Sequence, residues 1–166
     1  MNKHDELLGI MLPDHEELFL LPNVSIAEIL TLSSNNQLLP AFADLPGYMG
    51  NVVWRGLEVA LLHLNAILNP NQKVDRLEEL TMARIAVINP ILTPGFPTYG
   101  ILTTGTPKLT RLKPGKLKTL DANPDMNLIS MIAHTGEERV CIPDVARLEH
   151  NMHKVLLAQH NLCVSE

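Results

Sequence analysis

Two cysteines, Cys141 and Cys163, are all that this chain of 166 residues contains. They are too few and too irregularly placed for a disulfide framework or a cysteine zinc site. Aromatic residues are scarce as well, at 4%, with one tryptophan, Trp54. No stretch approaches the ~18 consecutive apolar residues of a membrane-spanning helix, so direct membrane insertion is not expected. The opening MNKHDELLGIML has acids where a secretory leader carries a basic region, and a cytoplasmic location is expected. Cations are short too. The formal net charge of −5 argues against a general nucleic-acid binder.

The catalytic signatures are missing in turn: G-x-S-x-G, a glycine-rich phosphate loop, H-E-x-x-H and C-x-x-C. Glu16-Glu17 and Glu78-Glu79 are adjacent pairs rather than convergent carboxylates. No enzyme and no cofactor is expected. The one enzymatic alternative is a metal held by His150, His153 and His160, with Glu149, in the last segment. It would need further ligands from elsewhere, and a solvated helix face is the simpler reading of these histidines.

What remains describes a globular chain. Hydrophobic residues make up 46% and charged residues 19%, enough to bury a core in a single domain. Short apolar runs closed by Pro, Asn or Ser predict strands: GIMLP, LFLLP, IAEILTL, then WRGLEVALLHLN. A second series follows in ARIAVINPIL, TYGILTTG, KLTRLK, LISMIAHTG and ERVCIP. Prolines 90, 94, 97, 107 and 114 forbid long helices there. His63 interrupts an apolar run and is expected to be a hydrogen-bonded core or groove residue. Only the end predicts a helix. Asp144 can cap it, and Val145, Leu148, Met152, Val155 and Leu156 share one face. The expected class is all-β with a C-terminal helix, divided as 6–70, a connection at 71–81, 82–143, and the helix at 144–160.

Charge is unevenly spread. Residues 1–70 hold two basic residues, Lys3 and Arg55, against eight acids. Residues 71–120 carry eight basic residues, five of them (Lys108, Arg111, Lys113, Lys116 and Lys118) within KLTRLKPGKLK. Lysines that protect a sheet edge explain this stretch simply, and a docking surface for an acidic partner is the sharper reading.

One arrangement of blocks spans most of the chain. NVSIAEIL carries Glu28; Leu45-Pro46 leads to Gly50, then NVVW, Arg55-Gly56 and LEVALLHLN. ARIAVINPIL, YGILTTG, LKPGKLKTL and LISMIAHTGEERVCIPDVARL follow in order. This order resembles the CheW-like domain, the coupling module of bacterial chemosensory arrays. Tryptophan before Arg-Gly is most like the pilus-type adaptors PilI and ChpC. Ala60 and His63 stand where the family usually has proline and aspartate.

The resemblance implies two packed five-stranded SH3-like barrels and a non-catalytic adaptor that is monomeric in isolation. Its implied partners are a chemoreceptor's cytoplasmic signalling tip and the regulatory domain of a CheA-type histidine kinase. A type IV pilus or twitching-motility system is the implied setting. The alternative within the class is an array component that binds receptors but not the kinase. Carried over by position, Ile26, Glu28, Trp54, Arg55 and Gly56 mark the partner surface, and Gly50 shapes the turn before the strand. Lys108, Arg111 and Lys113 join them as the basic docking stretch. Strand alternation predicts Trp54 facing a barrel interior, with Arg55 on the opposite side toward a groove beside Ile26 and Glu28. An ion pair between Arg55 and Glu28 is the simpler role for both.

Overall fold

The computed structural model describes residues 6–32, 38–41, 45–69, 71, 83–92, 95–113, 115–121 and 128–164. The first half supplies strands β1 (Leu7–Asp14), β2 (Glu17–Pro22), β3 (Ile26–Thr31), β4 (Leu38–Leu39), β5 (Tyr48–Trp54) and β6 (Leu57–Leu62), then helix α1 (Leu64–Leu68). The second half supplies β7 (Arg84–Ile88), β8 (Tyr99–Thr103), β9 (Lys108–Leu112), β10 (Lys118–Asp121), β11 (Ile129–His134) and β12 (Arg139–Pro143). Helix α2 (Val145–Val164) ends the described chain.

The strands form two sheets of six, in the orders β10-β11-β12-β2-β1-β9 and β3-β7-β8-β6-β5-β4. The expected class, mostly β with a C-terminal helix and two SH3-like units, is the one observed. Each unit has six strands rather than five among the described residues, and its pairing does not close into a barrel. Nor do the sheets divide the chain at residue 71. β1 and β2 pair with β9 and β12, whereas β7 and β8 complete the sheet of β3–β6. The connection expected over 71–81 lies outside the described residues except for Asn71.

Side-chain alternation explains why two open sheets make three cores. One face of the first sheet buries Met11, Leu20, Leu112, Ala133 and Val140. One face of the second buries Val52, Val59, Leu61, Ile85, Val87 and Leu102. Leu30 of edge strand β3 and Leu38 of edge strand β4 both pack on that second cluster, so the sheet curls around its own core. The opposite faces meet in a third cluster containing Ile10, Leu12, Phe19, Leu62, Ile88, Tyr99 and Ile101.

Helix α2 packs against the third cluster. Leu148, Met152 and Val155, three residues of the predicted face, are buried there, and Leu148 is 0% exposed. Asp144 caps the helix as expected: its Oδ1 accepts the Arg147 N–H at 3.1 Å and its carbonyl accepts Leu148 N–H at 2.9 Å. The strand predicted to run through HLN stops at Leu62 instead. His63 N–H donates to the Gly47 carbonyl at 2.8 Å, and the chain turns into the short helix α1.

Candidate partner-binding site

Trp54 and Arg55 do not occupy neighbouring strand positions. Trp54 is the last residue of β5 and pairs with Leu57, the first of β6, so Arg55 and Gly56 are the two central residues of a hairpin turn. Both have positive φ, +50° and +78°. That is the primed two-residue turn whose twist matches its flanking strands, and it explains the glycine. Strand alternation therefore does not govern Arg55.

The consequence is convergence rather than opposition. Trp54 Nε1 donates to Glu28 Oε2 at 2.8 Å, and Arg55 Nη2 donates to the same oxygen at 3.0 Å. The guanidinium also lies 4.8 Å from the Trp54 ring centroid, within cation–π range. Trp54 is half-buried at the rim of the second sheet's core rather than inside it. Glu28 belongs to edge strand β3, and β5 is four places away in the same sheet. The three side chains thus link edge strand β3 to the tip of the β5–β6 hairpin across the mouth of the curled sheet. Ile26 faces the other way, into the cluster between the sheets.

This clasp stays accessible. The Arg55 side chain is 70% exposed and that of Glu28 39%. Val53 and Leu57 of the same hairpin expose 45% and 59%. The result is a cationic tip flanked by apolar side chains and backed by a fixed indole.

Gly50 is not in the turn before β5 but within the strand, beside a register shift. Its φ is +121°, and a Cβ there would lie 2.1 Å from the Leu39 carbonyl oxygen. It admits β4 at close range instead of shaping a turn.

The basic residues lie apart from the clasp. Lys108 and Arg111 are exposed on β9, and Lys113 directly follows it. β9 is an edge strand of the first sheet, which fits the edge-protecting reading of these cations. Arg111 reaches Glu6 at 3.6 Å. A cleft between α1 and α2 is lined by Leu45, Pro46, Leu62, Ile67, Asn151 and Lys154, and by none of the expected partner-binding residues.

His150, His153 and His160 are exposed on α2. Glu149 points inward and is 2% exposed; its carboxylate accepts the Ile91 and Leu92 N–H groups at 3.1 and 3.3 Å. Burial, and then the charge of Glu149, push the Tyr99 phenol well above its ordinary range. Among the described residues the one grouping of three metal-capable side chains is elsewhere, at Asp14, His15 and His63. His63 is the buried, hydrogen-bonded residue expected, 3.0 Å from Asp14. Its partner lies 49 positions away, and no sequence spacing signals it.

The fold these elements define is CheW-like. One solved structure with this fold is the scaffolding protein TtCheW from Thermoanaerobacter tengcongensis, with a TM-score of 0.63 at 14% identity, covering 83% of this chain and 88% of that one. No protein-family model matches the chain, and no curated protein matches its sequence. No helix among the described residues is long and apolar enough to cross a membrane.

Proposed function

We propose that this chain is a non-catalytic adaptor, acting as one CheW-like unit, that couples chemoreceptors to a CheA-type histidine kinase. The observation that carries the reading is the hairpin tip at Trp54-Arg55-Gly56, set on a fold shared with a scaffolding protein over most of both chains. A receptor's signalling tip is a helical hairpin. A helix that shows acids beside apolar residues fits an exposed guanidinium flanked by Val53 and Leu57. The clasp with Glu28 holds the arginine in place, which lowers the entropy lost on binding. The basic edge at Lys108, Arg111 and Lys113 suits the approach of an acidic kinase domain. Trp54 ahead of Arg-Gly supports a pilus-type array as the setting.

Arg55→Asn is the informative variant. Asparagine tolerates the left-handed region, and Asn-Gly is a favoured pair for this turn, so the hairpin is kept while the cation is removed. The variant is expected to lose receptor-tip binding at least about tenfold, as for an arginine anchor, with its melting temperature nearly unchanged. Reversing Lys108 and Arg111 to glutamate is expected to slow association with the kinase domain and flatten its salt dependence. Calorimetry with a receptor tip tests the first, and stopped-flow association with the kinase domain at several salt concentrations tests the second. Wild-type affinity in Arg55→Asn would overturn the role of the tip. Receptor binding without any kinase binding would reduce the protein to the receptor-only component.

A further inference from the structure

The β1–β2 hairpin turns through His15 and Glu16, between paired residues Asp14 and Glu17, and carries its tip from the first sheet to the second. The contacts that seat it there are specific. The Pro13 carbonyl accepts the Thr103 hydroxyl and the N–H groups of Thr104 and Gly105, and His15 N–H donates to Thr104 Oγ1 at 2.7 Å. Asp14 accepts the Asn65 N–H at 3.2 Å and lies 3.0 Å from His63 Nε2. His15 Nε2 is 3.9 Å from the same carboxylate. A hairpin end of one sheet and the β6–α1 junction of the other thus bring together two imidazoles and a carboxylate.

We propose that Asp14, His15 and His63 form a binding site for a divalent first-row transition-metal ion, which fastens the two sheets together. One donor atom from each residue lies within 4.8 Å of the other two. Tetrahedral bonds of about 2.0–2.2 Å place donors roughly 3.3–3.6 Å apart, so closure needs a movement of about an ångström. The exposed turn residue His15 can supply most of it by moving inward, while the buried Asp14–His63 contact, now 3.0 Å, opens by a few tenths of an ångström. Two imidazoles with one carboxylate select zinc, nickel or cobalt over calcium or magnesium, which prefer all-oxygen sites. Three protein ligands leave a fourth position for water.

The test is titration of the untagged full-length chain with zinc chloride, followed by calorimetry and thermal denaturation, with cobalt(II) absorption as a spectroscopic reporter. One equivalent is expected to bind and to raise the melting temperature. His15→Asn keeps the turn, since asparagine accepts the φ of +54° found there, and is expected to lose at least about tenfold in affinity. A variant lacking His150 and His153 is expected to bind as wild type does. Failure of the wild-type chain to bind one equivalent, undiminished binding by His15→Asn, or loss of binding in the helix variant would each overturn the proposal.

Discussion

Glu28→Ala removes the acceptor on which the clasp depends, and its cost can be worked from the geometry. The indole bond at 2.8 Å ends on a charged oxygen, and hydrogen bonds to charged groups contribute about 1.5–3 kcal/mol. Glu28 is 39% exposed, so the lower end of that range applies, about 1.5 kcal/mol. The ion pair with Arg55 is more exposed and adds about 0.2–1 kcal/mol. The sum is about 2 kcal/mol, which for a domain of this size lowers the melting temperature by about 4–8 °C.

Glu28→Gln separates the two parts. The amide oxygen can still accept the indole N–H, so about half the loss is expected to return. A double-mutant cycle with Arg55→Ala is expected to give a coupling below about 1 kcal/mol that vanishes at 1 M salt, where screening acts within about 3 Å. Chemical denaturation and circular dichroism measure all five proteins. A Glu28→Ala protein within about 0.5 kcal/mol of wild type would refute the clasp, since the half-buried indole would then have no use for its acceptor.

Three other outcomes are expected. Gly50→Ala places a methyl group 2.1 Å from the Leu39 carbonyl at a φ of +121°, so it is expected to cost about 2–4 kcal/mol by denaturant titration and to displace β4; a neutral result would mean that β4 is not held there. Burial, helped by the hydrogen bond and charge of Glu17, pushes the Cys141 thiol up to about 11. A group raised by folding stabilises fully below its unfolded value of about 8.5 and loses that contribution as pH climbs through the folded value. Stability is therefore expected to fall between about pH 9 and 11, and Cys141 is expected to resist iodoacetamide at pH 8 until denaturant is added. Rapid native labelling at that position, read by mass mapping, would contradict the burial.

Much of the architecture was readable in the sequence because the signals involved are local. Strand periodicity, proline positions and the Asp144 cap act over a few residues, so the strand-rich class and the last helix follow directly from them. The buried face of α2 needed nothing more than three- and four-residue spacing. Which strands share a sheet was decided elsewhere. β1 pairs with β9 some hundred residues later, and no local pattern distinguishes that partner from another apolar edge.

The site divides in the same way. Glu28 and Arg55 were legible as a pair, and the structure joins them. The side each residue takes was not, because alternation holds only within a strand. Arg55-Gly56 is a turn, and its positive φ values turn the guanidinium back toward the same carboxylate as Trp54. Asp14 and His63 were both visible as residues, but only the docking of one sheet's hairpin on the other brings them to 3.0 Å. Composition and spacing determined which elements form. Long-range packing, whose contacts are too far apart in sequence to leave a periodic trace, decided which side chains meet.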